Sequence, residues 1–415
     1  MQLFHASWIL PIDGAPIRDG WVAAESGRIV ALGRGRGPGA VGSGAAALEK
    51  VDLGSVAVLP GLVNAHTHLE LSWLAGEVPA AERFADWIRT VVSRRREETP
   101  GGAAGRERAV ERAIEECHRS GTALVGEVAN ALATVEALAV SPLHAVVCRE
   151  IIGFQGGEAA ALVEQARREL MAAPLAPNVR VTLGAHAPYS VSPRLFRAIK
   201  AVLADGRFAP SSVHLGESAE EIAFLAGGTG PWRSLLEQLG VWDESWTAPA
   251  CGPVEYLDRM GFLDERVLCV HGVHLEGAAL ETLARRRTTL VTCPRGNRLT
   301  GAGSPPVTAF YAAGLRVAVG TDSLASVPDL NLFSELAELR RLAPRVPASM
   351  LLASATWQGA RALGWDDEFG TIAPGKRATL LGVTVPRSVA DVEEYLVGGI
   401  VPEQVAWVTA ERRNG

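Results

Sequence analysis

Short apolar runs alternate with longer amphipathic stretches from residue 57 of the chain onward. Eight of the runs have the length and composition of buried strands, at 57–64, 122–128, 145–151, 180–185, 211–215, 266–270, 289–293 and 315–320. The stretches between them, such as 106–121, 193–206 and 275–287, carry apolar residues at the three-and-four spacing of helices. Eight successive strand and helix units predict an α/β fold, a (β/α)8 TIM barrel rather than an open sheet.

Patterns typical of β structure also mark both ends of the chain. Residues 21–33 have the pattern of a hairpin that turns at Ser26 and Gly27, and residues 370–383 return to β character after the last helices. We therefore expect a small β-sandwich domain formed from both chain ends. The predicted division of the 415 residues is 1–56 for the N-terminal part of the small domain, 57–363 for the barrel and 364–415 for the C-terminal part.

Imidazole and carboxylate side chains follow several of the predicted strands. Active sites of TIM barrels lie at the carboxyl ends of the strands, so the side chains just past each run should meet. They are His66 and His68 after the first run, His186 after the fourth, His214 and Glu217 at the fifth, His271 after the sixth and Asp322 after the eighth. One histidine in such a place is usually structural, but five of the nine histidines share this predicted rim.

The types and spacing of these residues predict a catalytic metal centre. His66 and His68 are two residues apart on an extended segment, so their side chains point the same way. Imidazoles with a carboxylate suit Zn²⁺ or Fe²⁺, and three or four such ligands leave a position open for water. We predict one divalent ion, zinc ahead of iron, held by His66, His68, His214 and Asp322. A closed structural zinc site is disfavoured because no cysteine lies near these positions.

Several motifs resemble the amidohydrolase superfamily, and within it the deaminase and chlorohydrolase group that uses one metal ion. They are, in chain order, PGLVNAHTHLELS, GAHAPYSVSP, HLGESAEE, VLCVHGVHL, TCPRGN and GTDS. The later segment GTIAPGKRATL resembles the C-terminal β segment of that group, although Thr379 stands where an Asp is common. Binuclear members use a carboxylated lysine on the fourth strand, and residues 180–186 contain no lysine, which supports a single ion.

The resemblance implies a role for each residue of the rim. His66, His68, His214 and Asp322 would bind the metal, Glu217 and His271 would flank the attacking water, and His186 would contact the substrate. In the implied reaction Asp322 takes a proton from the water and His271 orients it. Glu217 protonates a ring nitrogen of a cyclic amidine, which then loses ammonia. A purely structural Glu217, in a solvated helical turn with Glu220 and Glu221, is the alternative.

The substrate is predicted from two neighbouring segments. NAHTHLELS and FADWIRTVVSRRR together look most like the 6-aminodeoxyfutalosine deaminases of menaquinone biosynthesis, whose substrate is an adenine nucleoside that carries a benzoate. Four arginines are candidates for holding the carboxylate, namely Arg94, Arg95, Arg96 and Arg149. Arg94 to Arg96 are equally well explained as solvated side chains.

Three other functions remain open at this stage. A deaminase of adenosylhomocysteine, adenosine or guanine, or a chlorotriazine hydrolase, would keep every metal ligand and change only the pocket. A dihydroorotase-like amide hydrolase would need a second metal and its lysine. A binding module without enzymatic activity would have no need for ligands, acid and base together.

Charge and composition restrict the partners. The net charge is −6 and the calculated isoelectric point about 5.9, so no overall electrostatic attraction draws the chain to nucleic acid or to an anionic membrane. A small-molecule nucleoside is the expected partner. The N-terminus lacks the basic region of a signal peptide, which favours a cytoplasmic location, and the oligomeric state stays open.

Overall fold

A computed structural model describes residues 1–37, 49–97, 101–204 and 206–408. The described strands are β1 Gln2–Ile9, β2 Ile17–Glu25, β3 Arg28–Arg34, β4 Glu49–Asp52, β5 Val56–Pro60, β6 Leu62–Thr67, β7 Thr122–Ala129, β8 His144–Ile151, β9 Val179–Ala185, β10 Ser211–Leu215, β11 Val267–His271, β12 Thr289–Thr292, β13 Arg316–Val319, β14 Leu380–Thr384 and β15 Val405–Val408.

Helices follow most of the central strands. The described α-helices are α1 Phe84–Arg96, α2 Gly102–Arg119, α3 Thr134–Ala139, α4 Ala159–Ala172, α5 Pro193–Leu203, α6 Ala219–Gly227, α7 Pro231–Gln238, α8 Pro253–Arg259, α9 Ala278–Arg286, α10 Pro294–Leu299, α11 Val307–Ala312, α12 Leu332–Leu342, α13 Ala348–Ser354, α14 Trp357–Ala362 and α15 Val392–Leu396. Short 3-10 helices span Leu69–Leu74, Gly156–Glu158 and Pro402–Gln404. Within the described ranges, no helix has both the length and the apolarity needed to cross a bilayer.

Strands β6 to β13 form the predicted TIM barrel. They make two four-stranded parallel sheets, in the orders β6-β7-β8-β9 and β10-β11-β12-β13. Backbone hydrogen bonds join the sheets at both seams, since His214 N donates to His186 O at 2.8 Å and Asp322 N donates to His66 O at 3.1 Å. The same contacts bring four residues of the predicted rim to neighbouring positions.

The barrel interior and the surrounding helices follow the apolar pattern of the sequence. Buried side chains that include Val63, Val146 and Val270 pack together inside the barrel. Helix α5 shows why an outer helix forms where it does: Ser192 Oγ accepts from Leu195 N at 3.2 Å, and Pro193 takes the first position. Its apolar residues at three-and-four spacing are buried against the barrel.

The two chain ends pair in one sheet beside the barrel. The order is β15-β14-β5-β1-β2-β3, and β4 pairs with β1. Strands within residues 2–34, 49–60 and 380–408 thus build it together, as the β patterns at both ends predicted. All seven strands belong to a single sheet, so the sandwich arrangement of the small domain stays a prediction.

The passage from this sheet into the barrel lies at Gly61. We predicted one strand over 57–64 and a barrel that begins at residue 57. Instead, β5 pairs antiparallel with β14 in the terminal sheet, and β6 begins the barrel by pairing with β7. A Cβ atom at residue 61 would lie 2.5 Å from Ala123 Cβ, so this crossing requires glycine. An apolar run that is buried in both sheets carries no periodicity that would reveal the break.

Candidate active site

Four side chains meet at the carboxyl end of the barrel in a geometry that suits one metal ion. One nitrogen from each of His66, His68 and His214 lies within 4.8 Å of the other two. The carboxylate oxygen Oδ1 of Asp322 lies 3.7 Å from His68 Nε2 and 4.0 Å from His66 Nε2. The residues come from the ends of β6 and β10 and from the segment after β13, so the barrel brings together all four predicted ligands.

His66 shows that this donor set fits a cation. Its side chain is fully buried and neither ring nitrogen has a hydrogen-bond partner in the described structure. Burial, together with His68 and His214, holds the pKa of His66 well below its usual value, so the ring is neutral and has a free lone pair. A buried nitrogen without a partner is costly, and a divalent ion would satisfy it.

Neighbouring groups fix the orientation of the other ligands. Nδ1 of His68 lies 2.8 Å from Val128 O, which accepts its proton and leaves Nε2 facing Asp322. Ser326 Oγ donates to Oδ2 of Asp322 at 2.9 Å, and Oδ1 remains turned towards the histidines. Asp322 has a backbone φ of 64° and His271 a backbone φ of 78°, a conformation that residues other than glycine rarely adopt. Such strain is typical of functional sites.

Glu217 and His271 lie together beside the predicted ligands. Glu217 Oε1 is 3.4 Å from His271 Nε2, and Asn297 Oδ1 accepts from His271 Nδ1 at 2.9 Å. Burial raises the pKa of Glu217 well above its usual value, and the Asp322 and Glu221 carboxylates raise it further. This shift favours the protonated carboxylic acid, the form in which Glu217 can act as an acid. It is 4% exposed, so the alternative of a solvated helical turn does not hold.

Glu221 holds the loop that carries Glu217. Its side chain is fully buried and accepts from the backbone N of Gly216 and of Glu217, each at 3.0 Å.

We expect Glu221→Gln to lower the free energy of unfolding by about 1–3 kcal/mol, because an amide NH₂ would face a backbone N–H. Denaturant unfolding measures this loss. Glu220→Gln is the matched control: Glu220 lies 3.6 Å from Arg83, and we expect a loss below about 1 kcal/mol. Equal losses would contradict the role of Glu221.

His186 lies at the cavity wall next to the predicted ligand His214. The two ring centroids are 5.0 Å apart, and Nδ1 of His186 contacts Ser190 Oγ. Burial lowers the pKa of His186 to about 4, although the Glu150 carboxylate opposes this shift. At neutral pH the ring is uncharged and can exchange hydrogen bonds with a neutral base or sugar.

A cavity of about 330 Å³ opens above these groups. Its inner end holds His68, His186, His214, Glu217, His271 and Asp322. Its outer wall is mostly apolar and aromatic, formed by Phe84, Trp87, Ile88, Val91, Phe154, Trp232, Leu235, Leu236 and Val241. The volume and the few polar groups at one end are typical of a small-molecule site.

Helix α1 presents one of its three arginines to this cavity. Phe84, Trp87, Val91 and Arg95 recur at three-and-four spacing and all line it. Arg94 forms ion pairs with Glu97 at 2.9 Å and with Glu77 at 3.5 Å. Arg96 is exposed to solvent and does not line the cavity. Of the candidates on this helix, only Arg95 can meet a ligand in the cavity.

Strand β8 points Arg149 away from the site and Glu150 into it. Arg149 Nε donates to Glu169 on α4 at 2.6 Å, so the predicted substrate contact is not present. Glu150 lines the cavity, and its Oε1 lies 3.1 Å from His214 Nε2. Burial alone would raise the pKa of Glu150, but His186 and His214 outweigh it and hold the pKa below its usual range. Our sequence prediction missed Glu150, although side chains alternate between the two faces of a strand.

Comparisons with known proteins agree with this geometry. The amidohydrolase family profile matches residues 57–401. The chain is 30% identical over 392 residues to a 5-methylthioadenosine/S-adenosylhomocysteine deaminase of Desulforudis audaxviator, covering 91% of this chain and 84% of that protein. It is 33% identical over 320 residues to an aminodeoxyfutalosine deaminase of Deinococcus radiodurans, covering 74% of this chain and 73% of that one.

A solved structure extends the similarity to the fold. The crystal structure of an adenosine deaminase from Xanthomonas campestris with bound zinc superposes with a TM-score of 0.75 at 27% identity, covering 97% of this chain and 90% of that one. Together with the profile match and the relatives above, it supports one assignment. The chain belongs to the amidohydrolase family of hydrolytic enzymes.

Proposed function

We propose that the chain is a zinc-dependent deaminase that converts 6-aminodeoxyfutalosine to the corresponding 6-oxo nucleoside and ammonia, a step of menaquinone biosynthesis. One observation carries the choice of substrate. Arg95 is the single Arg or Lys among the described residues that line the cavity, and it stands at the end of an apolar wall. An aromatic ring with one carboxylate matches that wall and that charge.

The inner end of the cavity supports the chemistry. His66, His68, His214 and Asp322 would hold the ion, which when bound lowers the pKa of a water molecule from about 15.7 to about 7. Asp322 Oδ1 accepts the proton of the attacking water, and His271 orients that water through Nε2. Protonated Glu217 donates to the ring nitrogen next to the amino-bearing carbon, which makes that carbon electrophilic. Water adds to the carbon, and Asp322 passes the proton it has accepted to the amino group. The C–N bond then breaks and ammonia leaves, while the proton of the new hydroxyl returns to Glu217 and the 6-oxo group forms.

S-adenosylhomocysteine is the second candidate substrate. Its amino acid tail carries an ammonium group as well as a carboxylate, and the cavity also contains Glu70 and Glu158. Those carboxylates could receive the ammonium group. The similar Desulforudis audaxviator deaminase is named for this substrate and for 5-methylthioadenosine. The tail of 5-methylthioadenosine is uncharged and would leave Arg95 without a ligand partner.

Replacing Arg95 tests the preferred substrate. Arg95→Met should lower kcat/KM for 6-aminodeoxyfutalosine by about tenfold to a hundredfold, since a charge-assisted contact contributes about 1.5–3 kcal/mol. Slow activity on adenosine should hardly change, because adenosine has no carboxylate to lose. Steady-state kinetics on both substrates measures the difference.

Two neighbouring arginines are the matched controls. Arg94→Met and Arg149→Met remove the same charge outside the cavity and should leave both substrates unaffected. A uniform loss on both substrates in Arg95→Met, or no loss on either, would contradict the proposed contact.

A further inference from the structure

Asn130 joins the end of helix α1 to the predicted metal ligand His214. It follows β7, is half-buried and lines the cavity. Its Oδ1 accepts from Arg95 Nη1 at 2.9 Å, and its Nδ2 donates to Glu150 Oε2 at 2.8 Å. The other oxygen of Glu150 lies 3.1 Å from His214 Nε2. A continuous hydrogen-bonded chain thus runs from the cavity wall to the candidate metal centre.

The backbone of Asn130 adds a third contact to this chain. Its N–H donates to Glu70 Oε1 at 3.0 Å, and Glu70 also lines the cavity. Glu127 in turn fixes the backbone at Glu70, because its carboxylate accepts from the backbone N of Glu70 at 3.1 Å and of Leu69 at 2.6 Å. The position of Asn130 is therefore fixed by contacts of its backbone as well as of its side chain.

The amide of Asn130 can make both side-chain contacts at once. An Asn side chain has an acceptor oxygen and a donor NH₂, whereas a carboxylate only accepts and a leucine does neither. Arg95 can only donate and ionised Glu150 can only accept, so Asn130 is the one member of the chain that can bridge them.

We propose that Asn130 is a positioning residue that couples Arg95 to Glu150 and His214, so that a ligand held by Arg95 increases turnover as well as binding. The inference deepens the proposed function and rests on it. Binding energy from a remote part of a substrate raises kcat when it is used to align the reacting groups. Arg95 meets the remote carboxylate, and the chain through Asn130 is the structural connection to the groups that react.

Zinc affinity tests the part of this inference that does not depend on the substrate. Asn130→Leu removes both side-chain contacts at similar volume. We expect it to weaken zinc binding by roughly tenfold, the low end of the effect of groups that support metal ligands. Competition with a chelator on the purified holoenzyme measures this. Asn178→Leu is the control, since its amide binds the carbonyls of Leu138 and Leu143 outside the cavity. It should lower Tm and leave zinc affinity unchanged.

A double-mutant cycle tests the coupling itself. Arg95→Met and Asn130→Leu should each lower kcat for 6-aminodeoxyfutalosine. The double variant should fall no further than Asn130→Leu alone, within about twofold. Losses that multiply, or a normal zinc affinity in Asn130→Leu, would overturn the coupling. If Arg95→Met instead affects adenosine and 6-aminodeoxyfutalosine alike, the substrate proposal fails, and the zinc measurement still decides the role of Asn130.

Discussion

Replacing His66 or His68 by alanine should abolish deaminase activity and remove the bound ion. In the proposed centre each ring supplies one of four donors, and His66 is a fully buried imidazole that no protein group satisfies among the described residues. Elemental analysis of the wild type should find about one divalent ion per chain, with zinc ahead of iron. The variants should contain much less than one and show no ammonia release.

His118→Ala is the matched control for loss of an imidazole. His118 stacks on Trp407 at a centroid distance of 4.8 Å and does not line the cavity. The variant should keep its ion and its activity. Two ions per active chain, or full activity without His66 and His68, would contradict a single-ion centre.

Glu217→Gln should lower kcat by roughly 10² to 10⁴, the range for loss of a positioned proton donor. The amide is similar in shape but cannot deliver a proton, whereas burial favours the protonated form of the carboxylic acid. Metal content and KM should change little, because Glu217 is outside the predicted ligand set. Single-turnover kinetics and elemental analysis separate these effects.

Glu237→Gln serves as the control for Glu217. Glu237 is paired with Arg233 at 2.8 Å on helix α7, with about half of its side chain exposed. Its replacement should leave kcat unchanged. Near-normal turnover in Glu217→Gln would mean that another group supplies the proton.

The barrel and the rim of histidines were predictable because they depend on local pattern. Strand-length apolar runs and amphipathic helices define the repeating unit, and the rule that sites lie at the carboxyl ends of strands places His66, His214 and Asp322 together. The burial of Glu217 could not be predicted from the local sequence pattern. It depends on how the loop after β10 folds over Glu221, which is a tertiary contact.

The substrate side of the site was predicted less well, for three physical reasons. The choice of Arg95 over Arg94 and Arg96 needs the rotational phase of helix α1, which its neighbours Trp87 and Val91 reveal only once the core is known. Successive side chains of a strand point to opposite faces, so only one of Arg149 and Glu150 can point into the site. We predicted Arg149 from the sequence, whereas the structure turns Glu150 inward. Asn130 lies in a loop, and its partners come from three separate segments, so no short sequence pattern marks it.

Ammonia release from a panel of substrates tests the central claim most directly. The panel contains 6-aminodeoxyfutalosine, S-adenosylhomocysteine, 5-methylthioadenosine, adenosine and guanine, and chloride release from a chlorotriazine is measured in parallel. The zinc-loaded wild type should deaminate 6-aminodeoxyfutalosine with a kcat/KM at least about tenfold above 5-methylthioadenosine, adenosine and guanine, because these lack the carboxylate and its contact of at least about 1.4 kcal/mol. The value should also exceed that for S-adenosylhomocysteine, whose tail has a carboxylate but no aromatic ring to pack on the apolar wall. A preference for S-adenosylhomocysteine or 5-methylthioadenosine, or no ammonia from any adenine nucleoside, would contradict it.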